Sequence, residues 1–229
     1  MHSLPSILFL RKEGDQFASV ATEILAQADC RVDVFDLRRG ERIPPQALSW
    51  QGDFIISYLC PAVVPCKLLD RASLAAINFH NGPPEYPGIG CVNFAIYDDS
   101  RSYGATCHHM SPAVDSGNII KVRRFDVAPV ETVWTLLSRT NSVMFELFCE
   151  ISPFLIHKRT LPSSPERWTR SAFRRKQLEA LCRLDRDMAS GEIDRRVRAT
   201  TFPGAPGAYF EIGGRRVPHD EINNQTTRS

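Results

Sequence analysis

The chain lacks the features that mark membrane, exported and disulfide-bonded proteins. It has no apolar run near 18 residues and no basic-then-apolar leader, so we expect a cytoplasmic protein that neither spans a membrane nor is exported. Its seven cysteines are an odd number and include no Cys-x-x-Cys pair, which favours reduced, packed thiols. No internal repeat is present.

Common motifs for phosphate, metal and nucleic acid are also absent. The first predicted strand runs into Arg11-Lys-Glu-Gly-Asp15, without a Gly-x-Gly-x-x-Gly run, and no Gly-Lys-Ser/Thr loop follows. His80, His108, His109 and Asp115 are possible metal ligands, but their spacing matches no zinc pattern, so no metal is expected. A net charge of +2 gives no global attraction to nucleic acid.

Positive charge is instead local. Five basic residues lie between Arg167 and Lys176, and Arg195, Arg196 and Arg198 follow. This cluster is either a solvated helical face or a patch near an anionic substrate.

The hydrophobic pattern predicts an α/β core. Strands are predicted at 6–10, 31–36, 53–58 and 75–80, with helices at 15–28 and 65–72 between them, which indicates a mostly parallel sheet covered on both faces. Further strands are predicted at 103–110 and 118–127. A helix at 131–157 follows, with Pro153 as a candidate break.

A change in composition at 161–165 predicts a linker to a smaller C-terminal unit. Beyond it we predict helices at 175–184 and 192–199, and a hairpin of strands 208–212 and 215–218 turning at Gly213-Gly214. The predicted organisation is a catalytic core at 1–160, a C-terminal helical and hairpin extension at 161–221 and a flexible tail at 222–229.

Two segments carry candidate chemistry. Asn78 and His80 share one face of a predicted strand that ends in the Pro-rich loop 81–88, and Asp115 lies on a loop after a later strand. A carboxylate near an imidazole can orient the ring and favour its protonated form. A single His at a strand end is more often structural than catalytic, so the residues alone leave both interpretations open.

Together the segments resemble the folate-dependent formyltransferase family. The matching motifs are Asn78-Phe-His80, Pro83-Pro-Glu-Tyr-Pro-Gly88, Gly104-Ala-Thr-Cys-His108 and Asp115-Ser-Gly117, and the resemblance covers roughly residues 53–157. It implies a Rossmann-like, mostly parallel sheet with a small C-terminal extension. It also implies N10-formyltetrahydrofolate as formyl donor, and catalysis by Asn78, His80 and Asp115.

The folate is expected beside strand end 57–61 and the backbone of 109–115. That backbone is irregular and can meet the hydrogen-bonding edge of a pterin. The candidate cofactor-binding residues are Tyr58, Leu59, His108, Met110 and Val114.

Among family branches, the chain is most similar to the nucleotide-linked amino-sugar N-formyltransferases. It lacks the Gly-rich loop of the glycinamide ribonucleotide branch. We also expect neither the RNA-binding domain of the methionyl-tRNA branch nor the regulatory domain of the hydrolase branch. Segments 78–88 and 192–209 carry the similarity to the sugar branch.

The implied acceptor is a nucleoside-diphosphate amino-deoxysugar, expected to be a dTDP-4-amino-4,6-dideoxysugar for surface polysaccharide synthesis. The family's sugar branch is usually dimeric, so a homodimer without nucleic acid is expected. Candidate substrate-binding residues are Asn81, Pro84, Tyr86, Arg198 and Phe202. Two alternatives stay open: a folate-binding or regulatory protein without turnover, and a formyltransferase that acts on another small amine.

Overall fold

The computed structural model describes residues 4–226, with side chains described through residue 222. The strands in this part are β1 (Ser6–Lys12), β2 (Arg31–Leu37), β3 (Gly52–Tyr58), β4 (Ala72–His80), β5 (Ser102–His109), β6 (Ile119–Asp126), β7 (Arg183–Leu184), β8 (Tyr209–Ile212) and β9 (Arg215–Pro218). The helices are α1 (Gln16–Gln27), α2 (Pro45–Leu48), α3 (Cys66–Leu69), α4 (Cys91–Tyr97), α5 (Val133–Ile156), α6 (Arg175–Cys182), α7 (Ser190–Thr200) and α8 (His219–Thr226).

The main sheet has the strand order β2-β1-β3-β4-β5-β6, which confirms the predicted α/β class. Strands β1 to β4 run parallel, whereas β5 and β6 pair antiparallel. Because β3 and β4 are parallel neighbours, Tyr58 and His80 end at the same edge of the sheet. That edge is where ligands gather in open α/β folds.

Alternation along β1 shows how the sheet is covered on both faces. Ile7 and Phe9 pack in a core with α1 and α5, whereas Leu8 and Leu10 pack in a second core with α2 and α3. Side chains alternate between the two faces of a strand, so an uninterrupted apolar run is the expected sequence of a strand buried on both sides.

Helix α5 continues through Pro153, so the predicted break there was wrong. Proline has no N–H for the carbonyl of Cys149 four residues earlier. The Ser152 hydroxyl donates to that carbonyl at 3.1 Å instead, which keeps it hydrogen-bonded. The helix therefore tolerates the proline near its C-terminal end.

Two predicted helices are shorter than expected. The helix predicted over 65–72 ends at Leu69, because Ala72 already begins β4. The helix predicted over 175–184 ends at Cys182, because Arg183 and Leu184 pair with β8. Helices α2 and α4 were not predicted, whereas the hairpin β8–β9 is confirmed.

The predicted linker 161–165 and the residues that follow it, up to 174, pack against the part of the chain that precedes them. We call residues 161–174 the strap. Its Ser164 N–H donates to the carbonyl of Ile119, and its Thr169 N–H donates to that of Pro84. The strap therefore crosses the carboxyl edge of the main sheet before α6 begins.

The C-terminal part forms the three-stranded sheet β7-β8-β9 and helix α8. The predicted flexible tail starts inside α8, and its residues 227–229 lie outside the described residues. The boundaries at 160 and 221 stay predictions. Across the described residues, no helix is both long and apolar enough to cross a membrane.

Candidate active site

His80 is the last residue of β4 and is 7% exposed. Its Nε2 lies 2.9 Å from the carbonyl oxygen of Tyr86. A carbonyl oxygen only accepts, so Nε2 must carry the hydrogen of this bond. A Cβ at Gly82 would lie 2.6 Å from this Nε2, so the absence of a side chain at residue 82 leaves room for the imidazole.

Asp115 places its carboxylate between two imidazoles. Its Oδ2 lies 3.4 Å from His80 Nδ1, and its Oδ1 lies 3.3 Å from His108 Nε2. The Gly88 N–H donates to Oδ2 at 2.7 Å. The backbone of Asp115 has φ +44°, a left-handed conformation that Asp adopts more readily than most residues.

The carboxyl group of Asp115 is held in its ionised form. Burial opposes ionisation, but the neighbouring charges of His80 and His108 and the Gly88 N–H outweigh it. The pKa of Asp115 therefore lies well below its usual range. At neutral pH the site contains a fixed negative charge that can stabilise a protonated imidazole.

Asn78 joins the network through His108, which lies opposite it on β5. The Asn78 amide nitrogen lies 3.1 Å from His108 Nε2, and His108 Nδ1 donates to its neighbour's carbonyl, that of His109, at 2.8 Å. His108 is only 2% exposed. The structure thus brings Asn78, His80 and Asp115 together and adds His108 as a fourth member.

Trp168 of the strap covers this network, and no sequence motif marks it. Its indole N–H donates to the Gly117 carbonyl at 2.8 Å. Its ring meets those of His80 and His108 edge-on, with centroids 5.9 and 5.0 Å apart. Residues 168 and 117 are 51 positions apart, so no local pattern announces this contact.

Gly88 lets the strap approach the Pro-rich loop 81–88, which we call the catalytic loop. Its φ is +89°, and a Cβ there would lie 2.6 Å from the backbone nitrogen of Phe173. Phe173 N–H donates to the Pro87 carbonyl, and the Ile89 N–H donates to the Phe173 carbonyl. The glycine that ends the Pro-rich loop therefore fixes both the strap and the N–H that holds Asp115.

These residues lie in a cavity of about 1070 Å³. Asn78, His80 and Asp115 line it together with two walls. One wall consists of 59–64 and 110–114, and the other of Ile89 and strap residues 168–174 with Arg175. In the described part of the chain, no group of three or more His, Cys, Asp or Glu side chains could hold a metal ion.

Most of the predicted cofactor-binding residues line this cavity. Leu59, Met110 and Val114 do so on the first wall, and His108 does so from within the network. Tyr58 does not line it, because its ring is fully buried between Phe9 and Phe79. Folate binding by these residues stays a prediction.

Of the predicted substrate-binding residues, only Asn81 lines the cavity. Arg198 instead bonds to the Ile96 carbonyl and pairs with Asp99. The other three lie in packed surroundings away from the cavity: Pro84 and Tyr86 are buried in the catalytic loop, and Phe202 packs edge-on against Trp134. The positions of these four residues therefore do not support a role in substrate binding.

A model of the formyl transferase family matches residues 37–151. The methionyl-tRNA formyltransferase of Latilactobacillus sakei is 25% identical over 171 residues, which are 74% of this chain and 53% of that protein. The chain thus spans about half the length of the curated relatives it matches.

Solved structures resemble the chain over nearly its whole length. A Mycobacterium tuberculosis protein assigned as a sugar N-formyltransferase superposes with a TM-score of 0.75 at 23% identity, covering 94% of this chain and 96% of that one. An N-formyltransferase from Helicobacter canadensis, in complex with folinic acid and dTDP-3-aminofucose, gives 0.70 at 17% identity, covering 94% and 86%. At these identities the likeness establishes the fold.

Proposed function

This chain belongs to the formyl transferase family, and we propose that it moves a formyl group from N10-formyltetrahydrofolate to the amino group of a nucleoside-diphosphate-linked amino-deoxysugar. The observation that carries the proposal is the buried network of Asn78, His80 and Asp115 on the lining of the large cavity. At about 1070 Å³ the cavity is at the upper end of single-ligand sites, which suits two reacting ligands.

The first wall fits a folate. Its Val63 and Val114 side chains are 70% and 50% exposed, which offers apolar surface to a flat ring. Residues 112–114 are exposed and irregular, and backbone groups here other than the Ala113 carbonyl, which accepts from the Ser111 and Ser116 hydroxyls, can meet the polar edge of a pterin. When bound, the donor supplies the activated formyl group, and the protein supplies orientation and electrostatics.

The network suits the charges that develop during transfer. The sugar amine attacks the formyl carbon, a C–N bond forms and the carbonyl oxygen becomes negative. The Asn78 amide nitrogen, 3.1 Å from His108 Nε2, carries two N–H groups, so at least one is free to donate to that oxygen. Breaking the bond to the folate nitrogen, with proton transfer to it, yields tetrahydrofolate and the N-formyl sugar.

His80 is the group placed to stabilise or relay a proton. Its Nε2 donates to the Tyr86 carbonyl, so donation to a substrate requires exchange of that bond. The Asp115 carboxylate beside Nδ1 stabilises the imidazolium. To take the amine proton, His80 must release the Tyr86 carbonyl and present an unprotonated Nε2, with its Nδ1–H facing Asp115.

The finer assignment is a dTDP-4-amino-4,6-dideoxysugar as acceptor. The Helicobacter canadensis neighbour holds a dTDP-linked amino sugar, which supports the nucleotide, although its amine is at carbon 3. We also propose that the chain acts as a homodimer in surface polysaccharide synthesis. Its seven free cysteines are consistent with the reducing cytoplasm.

A substrate panel tests the proposal. The purified chain would be incubated with N10-formyltetrahydrofolate and dTDP-, UDP- and GDP-linked sugars carrying a 3- or 4-amino group, and products followed by mass spectrometry. Free amino sugars and methionyl-tRNA would be included, the latter because the curated relatives formylate it by name. We expect formylation of a nucleotide-linked amino sugar and of neither other class.

The alternatives predict different outcomes in the same panel. Folate binding with no turnover on any amine would support a binding or regulatory protein. Turnover only on a free amine or on methionyl-tRNA would move the acceptor to another class.

A further inference from the structure

The charged residues that the structure describes on the second wall of the cavity are all positive. It contributes Arg170 and Arg174 from the strap and Arg175 from the first position of α6. Among the described residues, none of these three forms an ion pair, whereas Arg124 pairs with both Glu85 and Glu166. All three arginines are exposed residues, so a ligand in the cavity can reach their side chains.

Among the lining residues that the structure describes, no acidic side chain is free to neutralise these arginines. The one acidic side chain in its lining is Asp115, which His80, His108 and the Gly88 N–H already engage. An electropositive wall with no acidic partner of its own attracts an anionic ligand.

Arg170 is held by stacking rather than by an acid. Its guanidinium carbon lies 3.6 Å from the ring centroid of Phe173. Phe173 in turn stacks on Phe94, with centroids 3.7 Å apart and planes 7° apart. A guanidinium whose flat face stacks on a ring keeps its in-plane N–H groups free. Two of those N–H groups can donate to two oxygens of one phosphate.

The arginines also lie on the acceptor side of the site. They follow Trp168, whose ring covers His80, and they flank Phe173, which bridges to Gly88. Gly88 ends the loop 81–88 that carries Asn81, whereas the wall suited to a pterin is formed by 59–64 and 110–114. The arginines are therefore tied, through the Phe173–Gly88 bridge, to the loop that carries Asn81.

We propose that Arg170, Arg174 and Arg175 bind the diphosphate of the acceptor nucleotide. This inference rests on the proposed function and gives the strap a direct part in substrate selection. It also moves diphosphate recognition away from Arg198, whose guanidinium pairs with Asp99 and bonds to the Ile96 carbonyl. The glutamate tail of a folate is also anionic, so titrations with both ligands are needed to tell the two apart.

The experiment is a calorimetric titration of Arg170→Gln, Arg174→Gln, Arg175→Gln and the triple variant with dTDP, UDP, GDP and inorganic pyrophosphate. We expect the preferred nucleotide to bind about 10-fold more weakly to each single variant and at least ~100-fold more weakly to the triple variant, as for lost charge-assisted hydrogen bonds. Lys176→Gln removes the next positive charge, which does not line the cavity, and should stay within about twofold of wild type. Arg198→Ala should do the same.

A parallel titration with tetrahydrofolate carrying one or three glutamates identifies the anion. We expect no change for either folate. Unchanged nucleotide affinity in the triple variant would overturn the inference, and so would a loss confined to the triglutamyl folate. The single variants decide the question if the triple variant fails to fold, as judged by circular dichroism.

The two proposals fail separately. If wild type formylates a nucleotide-linked sugar and the triple variant has the same KM for it, the arginine site is wrong and the function stands. If wild type formylates no such sugar, the function fails. The nucleotide and pyrophosphate titrations then decide the arginine site, and binding as tight to the triple variant as to wild type overturns it.

Discussion

Replacing Asp115 by Asn removes one charge from the centre of the catalytic network with little change in volume. The carboxylate oxygens lie 3.3 and 3.4 Å from the imidazoles of His108 and His80. The Asn carbonyl can still accept from Gly88, but the new amide group donates hydrogens where the carboxylate accepted them. The imidazolium of His80 then loses its counter-charge.

The size of the effect follows from one charge-assisted interaction. Such interactions contribute about 1.5–3 kcal/mol, and each ~1.4 kcal/mol in a barrier is a tenfold change in rate. Because one carboxylate lies beside two imidazoles, we expect a loss near the upper end of this energy range, which corresponds to a fall in kcat of about 100-fold. The folate KM should change little, since the wall suited to the pterin is formed by other residues.

The assay is steady-state formyl transfer with product detected by mass spectrometry. Asp53→Asn is the matched control, because Asp53 accepts from Ser6 and pairs with Lys158 at the opposite end of β3. Its kcat should stay near that of wild type. An Asp115→Asn enzyme with near-normal kcat would refute the argument, and an equal loss in Asp53→Asn would assign the effect to folding.

Three further outcomes are expected. Trp168→Phe keeps an aromatic ring but loses the bond to the Gly117 carbonyl, so kcat should fall about 10-fold, with little change in the KM for the folate or for the amino sugar. The kcat of Trp168→Ala should fall further. Steady-state kinetics with a pH–rate profile check this, and unchanged kcat in both variants would contradict it. Gly88→Ala should lower the free energy of unfolding in denaturant by about 2 kcal/mol or more, because φ is +89° and the new Cβ meets the backbone of Phe173; an unchanged midpoint would contradict this. Because the pKa of Asp115 is lowered in the folded state, its ionisation adds to the free energy of unfolding. This contribution is complete above the unfolded-state pKa of about 3.9 and is lost as pH falls below it, so wild type should lose more stability than Asp115→Asn on acidification through that range. Urea titrations at several pH values check this, and an equal loss of stability in the two proteins would contradict the lowered pKa of Asp115.

Local patterns in the sequence predicted much of the fold and the centre of the site. Period-two alternation in β4 placed Asn78 and His80 on one face, and the structure joins both to Asp115 in one network. The hairpin β8–β9 followed from Gly213-Gly214 between two apolar strands. In each case the information is carried by neighbours within a few residues.

What was missed depends on contacts between distant parts of the chain. The partnership of Asn78 with His108 follows from the antiparallel register of β4 and β5, which the motifs do not state. The first part of the strap, 161–165, was predicted as a linker because of its Pro and Ser residues. Its Ser164 N–H nevertheless bonds to the Ile119 carbonyl, and further along the strap the Thr169 N–H bonds to that of Pro84. Arg198 was chosen by its position in a motif, whereas its nearest acid, Asp99, comes from another element.

The most direct test of the account is single-turnover formyl transfer by wild type and His80→Asn, with N10-formyltetrahydrofolate and dTDP-linked 3- and 4-amino sugars. Wild type should convert one of the sugars to its N-formyl product. His80→Asn should bind the donor normally and react about 100-fold more slowly or worse, as expected when a positioned acid–base group is lost. Near-normal turnover by His80→Asn, or folate binding by wild type without formylation of any nucleotide-linked amino sugar, would contradict the account.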